Sequence, residues 1–431
     1  MELICLSNID YIEAHMNLGY YGVIFVLMIL LLSGSIITSY PSCRNIFSLA
    51  QHEDLQACIA QSSSVYQLKQ PKRLKSSASV HPMDNLSPTT PAQVVYLKKK
   101  DSLDVSSISN AESYAFNCIS AFTQLFSFWE AIGRPFPVEG MPKNLPSMEG
   151  CFSFEIMNFM AYQYEFMHYR SGDIFNSCRL IEGTYVDMLN KLEMNANKKQ
   201  WVVGPILPDL TMVAGKDSRN RHKSLEWLDK QAPKSVLYIS FGSATTMTNE
   251  QIQELAMGLE KSKQKFLWVL RDADKGNVFD GETRKARIPK GYEERMEGIG
   301  MVVTDWAPQL EILGHISIGG FMSHCGWNSC MESITMGVPI LAWPMHSEQP
   351  WNASLIIDIL EVGIPATEEA HQMELVNSLT IEKVVNRLMV SKKGKEMRSR
   401  AENLGREVWQ SRNEGGVSQL ELNSFIAHIS R

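Results

Sequence analysis

The chain has 431 residues, 44% apolar and 20% charged, with a formal net charge of -6. That balance suits a globular protein of about two to three domains and excludes the basic footprint of a nucleic-acid partner. Eight cysteines are scattered without a CxxC pair, which argues against a zinc knuckle or a secreted disulfide scaffold and for reduced thiols in the cytosol.

The first hundred residues are unlike the rest. From Ala14 to Cys43 there is no Asp, Glu, Lys or Arg, and residues 20–39 enclose the unbroken run VIFVLMILLL, Val23 to Leu32. A bilayer span needs about 20 apolar residues, whereas a run of roughly 10–14 more often forms a buried helix. Glu2, Asp10 and Glu13 precede the run with no Lys or Arg, which is wrong for a secretory signal. The first positive charges follow it, at Arg44, Lys69, Lys72, Arg73 and Lys75, so an inserted run would keep the remaining chain in the cytosol. Two readings stand: a buried segment of a cytoplasmic protein, and an N-terminal membrane anchor. Residues 62–91, rich in Ser, Lys and Pro, read as a linker.

AQVVYL (Ala92 to Leu97) has strand character, and 112–135 and 151–195 read as helical, with the aromatic run FSFEIMNFMAYQYEFMHY inside the second stretch. From Trp201 the pattern becomes regular. WVVGPILP closes a short strand at Gly204-Pro205 and marks a domain boundary. A helix at 224–231, a strand at 235–243, an amphipathic helix at 249–262 and strands at 265–271 and 301–308 follow. Then come a strand at 317–324, a helix at 329–336, a strand at 340–344 and a helix from about Trp351. Strands alternating with helices predict a parallel, doubly wound α/β sheet.

In such a sheet, ligands sit beyond the carboxyl ends of the strands. Polar clusters fall at or just after those ends: Gly242-Ser243, Trp306-Ala307-Gln309, His324 to Ser329, Glu332, and His346 to Gln349. Their shared edge predicts one ligand site. HCGWNS (His324 to Ser329) lacks the further ligands a zinc ion needs, and strand neighbours point to opposite faces, which defeats a Cys-His nucleophile. It suits an anion: Gly326 lets the backbone approach, Asn328 and Ser329 stand where a helix begins, and His324 adds a donor. Cys325 is read as packing. Ser329-x-x-Glu332 is also a capping-box pattern, so Glu332 is divided between capping that helix and accepting from a ribose diol. No GxGxxG follows a strand, no GxxxxGK[ST] is present, and no DxD pair sits at a strand end of this half; a dinucleotide cofactor, a P-loop and a metal-dependent transferase are not indicated.

The stretch WAPQLEILGHISIGGFMSHCGWNSCMESITMGVPILAWPMHSEQ, Trp306 to Gln349, resembles the plant secondary-product glycosyltransferase box over its full length. AYQYEFM, IEGTYVDML, EWLDKQ, MHSEQP and QSRNEGGVSQLELNSFIAHIS look most like zeatin O-glycosyltransferases. The resemblance runs from about Asp101 to the C-terminus. It implies an α/β GT-B fold, two Rossmann-like doubly wound domains facing a cleft, and metal-independent transfer of a sugar, with inversion, from a UDP-sugar to the hydroxyl of a small acceptor. By position it implies that Trp306 stacks on uracil and the Ala307 backbone pairs with its edge, while Gln309 and Glu332 hold the nucleoside. Ser243, His324, Asn328 and Ser329 would bind the diphosphate. Trp327, Glu348 and Gln349 would contact the sugar, with Gln349 pointing to glucose and Glu348 standing where Asp is more common. The implied co-substrate is UDP-glucose or a related UDP-sugar, the implied acceptor a zeatin-like cytokinin, with no cofactor, no metal and a monomeric state.

The implied general base is a histidine after the first strand, in a P-x-x-G-H-x-N context that is missing here. The N-terminal histidines are His15, His52, His81 and His168, and only AHMN at His15 echoes the pattern. Asp101, in VVYLKKKDSL, matches the stretch that carries the family's orienting aspartate. The expected organisation is therefore an atypical region at 1–100, the remainder of an incomplete acceptor domain at 101–203, a UDP-sugar-binding domain at 204–417, and a C-terminal helix at 418–431 returning to the acceptor domain. Two functions remain open: an active glycosyltransferase, and a UDP-sugar-binding pseudoenzyme.

Overall fold

The computed structural model describes residues 3–4, 112–134, 138, 140–142, 145–147, 149–152, 157, 170–208, 221–242, 247–270, 288–367 and 375–431. The apolar run at 20–39, the linker, the strand at 92–97, the four N-terminal histidines, Asp101 and Ser243 lie outside them. So does most of the first Rossmann-like half that the sequence marks as incomplete. Among the described residues, no helix is long and apolar enough to cross a membrane.

The chain forms two units. The smaller comprises Met1–Phe116, Tyr169–Gly172 and Ser430. In it β1 (Leu3–Ile4) pairs in parallel with the start of β2 (Glu112–Asn117), Leu3 opposite Glu112. The expected helix over 112–135 is thus corrected. Residues 112–117 are strand, and the helix α1 spans only Ala121–Ala131. Ser120 sets that boundary: its extended backbone and its side chain, which accepts from the Thr123 N–H, make it the N-cap.

The larger unit holds Asn117–His168, Asp173–Ile429 and Arg431. Helix α1 buries Phe122, Leu125, Phe126 and Trp129, an i, i+3, i+4, i+7 stripe. The stripe packs on α2 (Arg179–Lys191), where Tyr185 meets the Phe122 ring edge-on at 4.9 Å. Before α2 lies β3 (Gly172–Phe175), which breaks the helix expected over 151–195. Four buried residues in a row explain why periodicity did not show it. Strand β4 (Lys199–Val202) follows α2. Glu182, on α2, is wholly buried and accepts from the Phe122 N–H at 2.8 Å and the Ser177 hydroxyl at 2.5 Å. Burial pushes its carboxyl up to about 7, against the donors that surround it.

The regular half is a six-stranded parallel sheet. Its chain order is α3 (Lys223–Leu228), β5 (Val236–Ser240), α4 (Asn249–Ser262), β6 (Lys265–Val269), α5 (Tyr292–Arg295) and β7 (Gly300–Val303). Then come α6 (Gln309–Leu313), β8 (Ile318–Ser323), α7 (Trp327–Thr335), β9 (Ile340–Ala342), α8 (Gln349–Ser354), which runs on into a π turn at Leu355–Ile359, and β10 (Gly363–Pro365). Helices α9 (Ser378–Met389), α10 (Lys392–Gln410) and α11 (Val417–Ile429) end the chain. The strand order is β10-β9-β8-β5-β6-β7, every pair parallel. Alternate residues of one strand enter opposite cores: Val236 and Tyr238 one, Leu237 and Ile239 the other. Both sheet faces are therefore covered, as an all-parallel sheet requires. Strand order reverses between β5 and β8, the point where doubly wound sheets hold ligands.

Helix α11 packs on β4 rather than on the parallel sheet. Phe425 is fully buried against Trp201, ring centroids 5.1 Å apart, and the Ser418 hydroxyl donates to the Gly204 carbonyl at 2.6 Å. Arg179 pairs with Glu421 at 2.5 Å.

Candidate functional site

Because the strands are parallel, their following loops meet at one edge. Gly242 follows β5, Trp306 follows β7, His324 follows β8 and His346 follows β9. The two central loops touch directly. A Cβ built on Gly242 would lie 2.6 Å from the His324 Nε2, and one on Gly326 would lie 2.5 Å from the same atom. The imidazole thus occupies the space two missing side chains leave free. Gly242 also needs its backbone freedom, with φ +76°.

The helix behind His324 starts earlier than its sequence suggests. Gly326 is the N-cap of α7, without a side-chain cap, and Trp327, Asn328 and Ser329 form the first turn. Ser329 is therefore not an N-cap, and the capping-box reading of Ser329 and Glu332 is corrected. The Glu332 carboxylate instead accepts from the Gln309 amide at 2.7 Å. That same amide nitrogen donates to the Ser329 hydroxyl at 3.0 Å, and the Gln309 carbonyl accepts from the Tyr238 hydroxyl at 3.3 Å. Gln309 opens α6, whose N-cap is Pro308, so a helix start places this bridge. Burial pushes the Glu332 carboxyl up to about 7, and the Gln309 hydrogen bond opposes this. The bridge holds a half-buried carboxyl whose pKa burial raises, and Gln309 follows an exposed flat ring, Trp306, by three residues. Trp306 is 47% exposed, and His222, the N-cap of α3, meets it edge-on at 6.2 Å.

The residues expected to contact a sugar are placed differently from one another. The Trp327 indole is 1% exposed and donates its Nε1–H to the Asn176 carbonyl at 2.9 Å. That side chain is fixed in the core, which leaves the backbone of Trp327 to face the edge. Its N–H is taken by the Glu348 carboxylate, whose pKa burial raises while this hydrogen bond opposes the shift. Gln349 is buried, with its carbonyl oxygen accepting from the N–H groups of Met345 at 2.9 Å and His346 at 3.2 Å. Asn328 is exposed on the first turn of α7 and Ala307 is half-buried. Cys325 is fully buried and packs as expected, with a left-handed backbone of φ 65°.

The structure therefore brings Trp306, Ala307, Gln309, His324, Asn328, Ser329, Glu332, Glu348 and Gln349 to one sheet edge. It adds Tyr238 and Asn352, which sequence reasoning missed. Asn352, fully buried on α8, accepts from the Ser120 and Thr123 hydroxyls at 2.9 Å and 3.1 Å and donates to the Cys325 carbonyl at 3.0 Å. Chemically, the edge offers a stacking plane, a hydroxyl-accepting carboxylate, and a helix start suited to phosphate.

Comparison with known proteins agrees with this geometry. The family model described as UDP-glucoronosyl and UDP-glucosyl transferase matches residues 116–397. The chain is 53% identical over 330 residues to zeatin O-glucosyltransferase of Phaseolus lunatus, covering 76% of this chain and 71% of that protein. It is 51% identical over 330 residues to zeatin O-xylosyltransferase of Phaseolus vulgaris, covering 76% and 72%. Among solved structures, TcCGT1 in complex with UDP superposes with a TM-score of 0.62 at 29% identity, over 74% of this chain and 72% of that one. UGT2 of Phytolacca americana, complexed with UDP-2fluoro-glucose and pterostilbene, gives 0.59 at 29% identity over 74% and 70%.

Proposed function

The chain belongs to the UDP-glucoronosyl and UDP-glucosyl transferase family and is a UDP-glycosyltransferase of α/β GT-B fold, and from that premise we propose that it transfers glucose, with inversion, from UDP-glucose to a hydroxyl of a zeatin-like acceptor. The observations that carry the reading are the Tyr238–Gln309–Glu332 bridge and the exposed Trp306. In this reading uracil lies on the Trp306 ring and pairs with the Ala307 backbone. The Glu332 carboxylate accepts from the ribose hydroxyls, with Gln309 holding it in place.

The diphosphate lies at the start of α7, with His324, Asn328, Ser329 and Ser243 around it. The first-turn N–H groups of a helix carry no intrahelical partner and about half a positive charge, so they stabilise the charge that develops as UDP departs. This is why the reading calls for no metal and no cofactor beyond the co-substrate. Glu348, Gln349 and the backbone of Trp327 face the sugar. Transfer forms a bond from the acceptor oxygen to the anomeric carbon as the bond from that carbon to the UDP oxygen breaks. The acceptor proton passes to a general base. Asp101 is the sequence candidate for the orienting acid, and no histidine of the sequence stands in the context expected of the base. Support for a zeatin-like acceptor comes from the two bean relatives, which are named for glucose and for xylose transfer to zeatin. Gln349 at the last box position favours glucose.

The second reading, a UDP-sugar-binding pseudoenzyme, is favoured by the missing P-x-x-G-H-x-N context. One set of measurements separates the two. UDP binding by calorimetry is expected in the parent and lost in Trp306→Ala; equal affinity in both would overturn the site. Transfer from UDP-glucose to trans-zeatin, read by mass spectrometry, is expected of the enzyme. UDP binding without any transfer would leave the pseudoenzyme.

A further inference from the structure

Helix α7 begins without a side-chain cap, so something other than its own N-cap must fix its first turn. The residue before Gly326 is Cys325, left-handed at φ 65°, a conformation an L-residue holds only when its surroundings impose it. Both polar groups of its backbone are gripped by side chains. The Cys325 N–H donates to the Ser323 hydroxyl at 3.1 Å, and its carbonyl accepts from Asn352 Nδ2 at 3.0 Å.

Asn352 is itself locked. Its oxygen accepts from two hydroxyls of α1, Ser120 and Thr123, which fixes the amide so that its N–H faces Cys325. The two hydroxyl oxygens lie 2.8 Å apart, so the single Ser120 proton is shared between Thr123 and the Asn352 oxygen while Thr123 donates to Asn352. A second anchor lies one residue beyond Gly326, where the Trp327 indole is held by Asn176. All of these groups are buried, where an unmade hydrogen bond costs most.

We propose that Asn352 is a positioning residue for the diphosphate end of the donor site: it holds the Cys325 carbonyl and so aims the first-turn amides of α7. The inference rests on the UDP-sugar reading above. Asn352 makes no hydrogen bond to Trp306, Gln309 or Glu332, the residues of the nucleoside subsite in that reading. Its loss therefore weakens ligands that carry a diphosphate and spares those that do not.

The test compares UDP, by calorimetry, with uridine, by NMR titration. In Asn352→Asp the oxygen that accepts from α1 remains, but an acceptor replaces the donor that faces Cys325; Asn352→Ala removes both. The expected result is UDP affinity weakened by about tenfold or more, with uridine affinity within about twofold of the parent. Ser120→Ala/Thr123→Ala removes the hydroxyls that orient the Asn352 amide and is expected to give the same UDP-over-uridine split, smaller in size; an equal loss of both ligands would count against the proposal. Parallel loss of UDP and uridine, or retention of UDP by both Asn352 variants, would overturn the proposal. If neither variant unfolds cooperatively, Ser323→Ala frees the other polar group of the Cys325 backbone, its N–H, and the same UDP-over-uridine split is required of it. Failure of the parent to bind UDP would instead refute the underlying reading. Trp306→Ala, which should lose both ligands together, calibrates the comparison.

Discussion

The seat of His324 between two glycines gives a sharp prediction. Gly326 has φ -58°, which alanine adopts freely, so Gly326→Ala brings no backbone strain. Its Cβ, however, would lie 2.5 Å from Nε2 and 3.2 Å from Cε1 of His324, where ordinary contacts are about 3.5–4 Å. The ring must move by about 1 Å. Overpacking of this kind costs about 1–3 kcal/mol, and losing glycine at an N-cap adds some tenths to about 1 kcal/mol. In a His324→Ala background the ring is gone and only the N-cap part remains. Urea unfolding of the parent, both single variants and the double variant should therefore give a coupling energy of about 1–3 kcal/mol, the double variant being more stable than additivity allows. Gly242→Ala behaves differently. Its Cβ meets the same ring at 2.6 Å, but its φ of +76° adds about 1–2 kcal/mol of strain that His324→Ala cannot relieve. Additivity of Gly326→Ala and His324→Ala within about 0.5 kcal/mol would refute the placement of the imidazole over the helix start.

Two further predictions follow from burial. Burial pushes the Glu332 carboxyl up to about 7, and in the proposed reading its ionised form accepts from ribose. Uridine affinity, read by NMR titration, should therefore rise as pH increases from about 6 to about 8 and be flat in Glu332→Gln; a slope that survives in the variant would exclude this role. The sign for stability is opposite: with a folded pKa raised from 4.5 to about 7, Glu332 stabilises the ligand-free fold fully below 4.5 and progressively less as pH rises through about 7. At the far end of the chain, Phe425→Ala should cost about 3–5 kcal/mol in urea unfolding while UDP affinity of the folded protein stays unchanged, and a cost below about 1 kcal/mol would show that α11 is not anchored at Trp201.

The sequence on its own determined the parallel half and the edge at which its strand ends gather. Buried strands ending at Gly242, before Trp306 and at His324 announced themselves by composition and turn residues, and a parallel sheet gathers such ends whatever their sequence separation. It also identified the residues of the edge, because an exposed indole, a lone carboxylate and a glycine at a helix start are chemistry readable locally. What it misjudged was local competition. Ser329 and Glu332 have capping-box spacing, but Gly326 ended the strand connection early enough for α7 to begin at Trp327, and Gln309 was near enough to claim both side chains. Residues 112–117 read as helix because the apolar spacing of α1 was carried across Ser120, whose role as a cap depends on its backbone.

Only the tertiary structure decided how the edge is held. Asn352 reaches Cys325 from one side and Ser120 and Thr123 from the other. The Trp327 indole turns inward to Asn176, and Glu348 takes the Trp327 N–H. Partners this far apart in sequence leave no periodic trace, since the hydrogen bonds that fix them arise only once packing has excluded water and made each unpaired group costly. The residue types at the edge come from the sequence, whereas their orientation is set by buried groups that tertiary packing brings together.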